Sequence, residues 1–228
     1  MPLRYDPAVA ALQRYDLRAS GLTPEQEHEV AARLRGGALV IYPTDTLYAI
    51  GCCALDGASV KRLREAKGRE TDKPLSVIVA DLTQACSLAA FWPDQAQRLA
   101  DAFGPGPLTL VVPAASTLPS ELLAGAGGVA VRVPASNVAR ILARAAGPLV
   151  ATSANLAGEA PCVTVDLAVK AFPLATLGFD VGPLDGAPST IVDLTDPTGG
   201  FRILREGRIE RGRIQEALGQ GPTAARGL

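Results

Sequence analysis

Apolar and polar positions alternate in blocks along this chain, and the block lengths predict helices and strands in turn. Thr23-Pro24-Glu25-Gln26 supplies a cap, a first-turn proline and a capping-box glutamine. Val30, Ala31 and Leu34 follow at helical spacing, and Gly36-Gly37 ends the helix. Ala38 to Tyr42 is a short apolar run stopped by Pro43, which reads as a buried strand. Helices near 58–67, 93–102 and 137–146 then interleave with apolar runs at 75–79, 108–112, 129–133 and 149–151, each bounded by Gly, Pro or Asp. Toward the end, Ser189 to Leu194 and Phe201 to Leu204 are separated only by a turn-rich connector, so a hairpin is predicted. The expected fold is therefore α/β, with a mixed sheet flanked by helices. Its organisation reads as an N-terminal arm over 1–22, one domain over 23–210, and a helix turn with a flexible tail over 211–228.

Composition narrows the chemistry. With 22 Lys and Arg against 23 Asp and Glu, the formal charge is -1, so any polyanion site has to be local rather than a basic coat. One histidine and four cysteines without a Cys-x-x-Cys pair leave little material for a zinc cluster or a histidine-dependent triad, and no metal site is expected. Aromatic content of 4% is too low for a base-stacking platform. The first twenty residues carry charges throughout and no apolar run reaches the length of a membrane span, so a cytoplasmic protein with no membrane role is expected. Cys52, Cys53, Cys86 and Cys162 read as reduced thiols, with the adjacent pair read as small buried residues.

Candidate chemistry sits where strands end. KRLREAKGRETDK, residues 61–73, holds six basic residues against three acids. Val60, Leu63 and Ala66 form its core stripe, which places Lys61, Arg62 and Arg64 on the solvated side and Lys67, Arg69 and Lys73 at the helix end and in the following loop. Taken alone, this segment reads first as a solvated face with cations at a helix C-terminus, and the other strand-end loops shift that reading toward a site. Thr44-Asp45-Thr46 follows one strand and Thr152-Ser153-Ala154-Asn155 another, and both present hydrogen-bonding groups at strand ends. Ser189 and Arg205 add a hydroxyl and a cation, a combination suited to phosphate. Gly125 to Ala130 mimics a dinucleotide fingerprint but precedes a strand, so it is assigned to a connection. His28, between Glu27 and Glu29 on the first helix, is given no role.

Seven segments in order, IYPTDTLYAIGC, KGRETDKPLSVIV, PGPLTLVV, VAVRVP, TSAN, STIVDL and ILREGRI, resemble the YrdC-like threonylcarbamoyl-AMP synthase family in its short, single-domain form. The resemblance implies a twisted mixed sheet with a concave cationic nucleotide site. It implies ATP-dependent synthesis of L-threonylcarbamoyladenylate from L-threonine and bicarbonate or CO2, with pyrophosphate released, for a downstream tRNA-modifying complex. By that resemblance Lys67 and Arg69 would be the catalytic cations on the triphosphate. Lys73, Thr109, Ser153, Asn155 and Arg205 would complete the ATP site, and Thr44, Arg132 and Ser189 would face threonine. Arg132, lying between Val131 and Val133, could equally serve a structural ion pair. Mg²⁺ would arrive with ATP, and tRNA alone would not bind stably. Ala49 stands where the family pattern often has glycine. A divergent nucleotide- or RNA-binding relative without synthase activity is the alternative, and carbamoyl transfer as in hydrogenase maturation proteins is a more distant one.

Overall fold

The computed structural model describes residues 11–68, 74–156 and 159–219. Along the chain run β1 (Gln13–Asp16), α1 (Pro24–Arg35), β2 (Val40–Pro43), β3 (Tyr48–Gly51), α2 (Gly57–Ala66), β4 (Ser76–Ile78), α3 (Leu82–Ser87), α4 (Asp94–Phe103) and β5 (Leu108–Pro113). There follow α5 (Ser120–Leu123), β6 (Gly128–Arg132), α6 (Asn137–Ala146), β7 (Leu149–Ser153), α7 (Val165–Ala171), β8 (Leu177–Asp180), β9 (Thr190–Asp193), β10 (Arg202–Arg205) and α8 (Arg211–Ala217). The strands form one sheet in the order β1-β8-β2-β3-β7-β4-β6-β5-β9-β10. It is mixed, as predicted: β2 runs antiparallel to β3 but parallel to β8, and β4 parallel to β6 but antiparallel to β7.

The local signals read from the sequence behave as chemistry dictates. Thr23 caps α1 by accepting from Gln26 N while the Gln26 side chain accepts from Thr23 N, and Val30, Ala31 and Leu34 are the helix's buried residues. The predicted closing hairpin is β9 and β10, paired antiparallel. Other elements escaped prediction. Residues 13–16, assigned to an arm, form an edge strand parallel to β8, with the Tyr15 and Phe179 rings stacked 5.0 Å apart. The predicted tail lies outside the described residues from 220 onward, and ahead of it α8 buries Ile214.

Two placements on α2 need correction. Arg64, expected on the solvated face, is buried, because its Nε reaches across to the carbonyl of Glu121 at 2.6 Å beside α5. Lys67, expected to stand clear of the core, is only 4% exposed. A long aliphatic stem makes such burial feasible where main-chain acceptors meet the charged end. Cys52 and Cys53 are buried as expected, Cys162 is buried too, and burial pushes the Cys52 thiol up to about 12. His28 is exposed on α1.

Candidate functional site

Strand ends from both halves of the sheet meet at one cleft. At its centre is the turn between β2 and β3, where Thr44 Oγ1 donates to the Leu47 carbonyl at 2.7 Å and accepts from the backbone N–H groups of Thr46 and Leu47. This Thr-centred turn is a local device the sequence favours, and it directs Thr44 and Thr46 toward the strand opposite. There β6 ends in Arg132, whose guanidinium is anchored on three sides: Nε to the Gly106 carbonyl at 3.0 Å, Nη1 to Thr46 Oγ1 at 3.1 Å, and Nη2 to Asp45 Oδ1 at 2.7 Å. Since Thr46 Oγ1 lies 2.8 Å from Thr44 Oγ1, the hydrogen bonds run in one direction from Arg132 through both threonines to Leu47. Burial lowers the Arg132 pKa and the Asp45 carboxylate opposes that shift. A guanidinium remains protonated throughout the neutral range.

A second anchored cation stands across the cleft. Arg205, closing β10, donates from Nε to the Ser189 carbonyl and from Nη2 to Ser189 Oγ, both at 3.0 Å. Ser189 Oγ in turn lies 3.0 Å from Thr109 Oγ1 on β5. Partial burial and the nearby Arg132 charge lower the Arg205 pKa. Among the described residues no carboxylate pairs with Arg205, whereas Arg132 has Asp45. The described part of the cleft therefore holds two fixed guanidiniums against one neutralised partner, ringed by hydroxyls, an arrangement suited to an anion.

The cleft wall includes Thr44, Thr109, Arg132, Ser153, Ser189 and Arg205, six of the residues singled out in the sequence. Thr46, Tyr48 and Ala49 line it too; the Thr44-Asp45-Thr46 segment pointed to Thr46, while Tyr48 and Ala49 come with β3. Ala49 pairs with Tyr42 and Ser153 within the sheet and lies in this wall as a buried residue. Arg132 forms the ion pair left open for it, with Asp45, and also lines the cleft.

Lys67 and Asn155 stand differently. Lys67 Nζ donates to the carbonyls of Ser153 at 2.7 Å and Asn155 at 2.5 Å, 5.3 Å from the centre of the Phe172 ring. Asn155 Nδ2 donates to the Leu156 and Glu159 carbonyls at 3.0 and 2.8 Å. Neither forms part of the cleft wall. Arg69 and Lys73 lie outside the described residues. Among the described residues no three His, Cys, Asp or Glu side chains converge, and no helix is long and apolar enough to cross a membrane.

Comparison with known proteins adds an independent line. The model of the Sua5/YciO/YrdC family, described as "Telomere recombination", matches residues 32–207. A Mycobacterium leprae protein named provisionally as a threonylcarbamoyl-AMP synthase is 41% identical over 211 residues, covering 92% of this chain and 93% of that one. The threonylcarbamoyl-AMP synthase of Pyrococcus abyssi is 37% identical over 195 residues, covering 83% of this chain and 56% of its own length. A solved structure of P. abyssi Sua5 complexed with L-threonine matches with a TM-score of 0.85 at 34% identity, covering 91% of this chain and 61% of that one. The chain thus spans less than two thirds of the archaeal structure and nearly all of the mycobacterial relative.

Proposed function

Because the chain belongs to the Sua5/YciO/YrdC family, we propose that it is a threonylcarbamoyl-AMP synthase, an ATP-consuming nucleotidyltransferase. The amine of L-threonine and bicarbonate form a carbamate with loss of water. A carbamate oxygen then attacks the α-phosphorus of ATP, the bond to the bridging oxygen breaks, and pyrophosphate departs. No protein nucleophile is needed, so the work falls to positioning and charge neutralisation. The observation carrying this reading is the pair of anchored guanidiniums, Arg132 and Arg205, facing one hydroxyl-lined cleft.

Within this proposal, Arg205, Thr109 and Ser153 hold the phosphate side and Thr44, Arg132 and Ser189 the amino acid. Arg69 and Lys73 are retained as triphosphate cations from the sequence resemblance alone. Mg²⁺ is assigned to the triphosphate: Asp45, the carboxylate nearest the cleft cations, is already held by Arg132, and the described residues offer no ligand cluster. When bound, the ion would neutralise phosphate charge. The product would pass to a tRNA-modifying complex in the cytoplasm, with no stable binding of tRNA by this chain alone.

An omission series tests the proposal. With ATP, Mg²⁺, L-threonine and bicarbonate, pyrophosphate and an AMP adduct are expected, and omission of either threonine or bicarbonate should abolish both. Release of ADP, or pyrophosphate formation indifferent to threonine, overturns the assignment.

A further inference from the structure

Where β7 ends, the chain leaves the sheet at Ser153 and enters irregular backbone whose carbonyls lose their ladder partners. Two side chains take over that role. Lys67 binds the carbonyls of Ser153 and Asn155, and Asn155 binds those of Leu156 and Glu159. We infer that Lys67 is a positioning residue which, by bracing the loop after β7, holds Ser153 in the cleft wall. The inference rests on the synthase reading for its effect on turnover, and on geometry for the brace itself.

Several observations favour the brace over direct phosphate contact. Lys67 is the C-cap of α2, and its own N–H is bound back to Leu63 and Arg64, so the base of the side chain is fixed by the helix. Its ammonium is almost wholly withdrawn from solvent, where charge-assisted bonds to carbonyls and the face of Phe172 replace lost hydration. To reach a phosphate in the cleft, Nζ would have to abandon its bonds to both the Ser153 and the Asn155 carbonyl. Ser153, by contrast, lines the cleft, and its register opposite Ala49 of β3 fixes it from the other side. The brace therefore couples the end of α2 to a residue that faces the substrates.

A brace requires N–H donors, whereas a phosphate contact requires charge, and this difference supplies the test. The full chain would be prepared as Lys67→Met, Lys67→Gln and Lys67→Arg and compared in ATP affinity, turnover and amide hydrogen exchange of residues 153–156. Lys67→Met is expected to speed that exchange by about tenfold or more and to lower kcat similarly, with the Kd for ATP within about threefold of the wild type. Lys67→Gln, neutral but carrying two N–H donors, should restore much of the loop protection, as should Lys67→Arg. Rescue by Arg alone, with ATP affinity weakened about tenfold or more in both Gln and Met variants and loop exchange unchanged, would overturn the inference. If Lys67→Met does not fold, the Gln and Arg variants still separate donors from charge. A wild-type protein inactive in the omission series would sink the synthase reading while leaving the exchange comparison intact.

Discussion

Arg132 concentrates the consequences of single residues. Three acceptors of different origin, the Gly106 carbonyl, Thr46 Oγ1 and Asp45 Oδ1, meet the planar fork of one guanidinium. An ammonium keeps the charge but cannot satisfy acceptors spread in that plane. Arg132→Lys is therefore expected to lower kcat/KM by about 10²-fold with modest loss of stability, measured by steady-state pyrophosphate release. Near-normal kinetics would reduce Arg132 to a point charge. Cysteine chemistry is also set residue by residue: Cys52, Cys53 and Cys162 are buried and Cys86 is half-buried, with burial raising every thiol. Titration of the native protein with a chromogenic thiol reagent at pH 8 should find Cys86 reacting first and Cys52 only after unfolding. Fast modification of Cys52 would contradict its burial.

Elements differ in how far their own sequence specifies them. α1 carries its capping box, proline and apolar stripe within a dozen residues, and Thr23→Ala should cost about 1 kcal/mol in urea unfolding. β3 has no such signature, since Tyr48-Ala49-Ile50-Gly51 is too short and mixed to announce a strand; its pairing with β2 on one side and β7 on the other makes it one. Gly51 shows the tightness of that fit, because a Cβ there would sit 1.9 Å from the Val150 carbonyl oxygen of β7. β9 is tied to the loop between β10 and α8 by Thr190, wholly buried, whose hydroxyl donates to the Ile209 carbonyl and accepts from Gly207 N and Ile209 N. Thr190→Val keeps the shape and strands three main-chain groups, for an expected loss of about 2–4 kcal/mol, clearly more than the cap variant. Equal losses in the two variants would refute this ordering.

At the scale of the whole molecule, buried carboxylates join strands, Asp180 of β8 to Arg14 of β1 and Asp193 of β9 to Arg202 of β10, and these set the acid stability. Burial works to raise Asp180, but hydrogen bonds from Arg14 and from Gly182 N outweigh it and its pKa falls; at Asp193, Thr195 and Arg202 do the same. A carboxylate depressed in the folded state contributes stability above its ordinary range near 3.9, and that contribution is lost as pH falls toward the depressed value. Stability should therefore hold from neutral pH to about 4 and decline below it, with Asp180→Asn less stable at pH 7 and flatter in acid. Chemical denaturation at a series of pH values measures both, and an unchanged acid slope in Asp180→Asn would discount the β1 tether formed by Arg14. The sequence by itself determined the α/β alternation, the capped first helix, the closing hairpin and four cleft residues, Thr44, Ser153, Ser189 and Arg205, because periodicity, caps and strand-end polar groups are written in neighbouring positions, whereas Thr109 and Arg132 came with the family resemblance. Tertiary structure alone decided that residues 13–16 become a strand, that Arg64 is buried, and that Lys67 grips the backbone of residues 153 and 155. Each of these depends on a partner far along the chain, and a long cationic side chain is equally at home in water or against a carbonyl until the fold brings that carbonyl within reach.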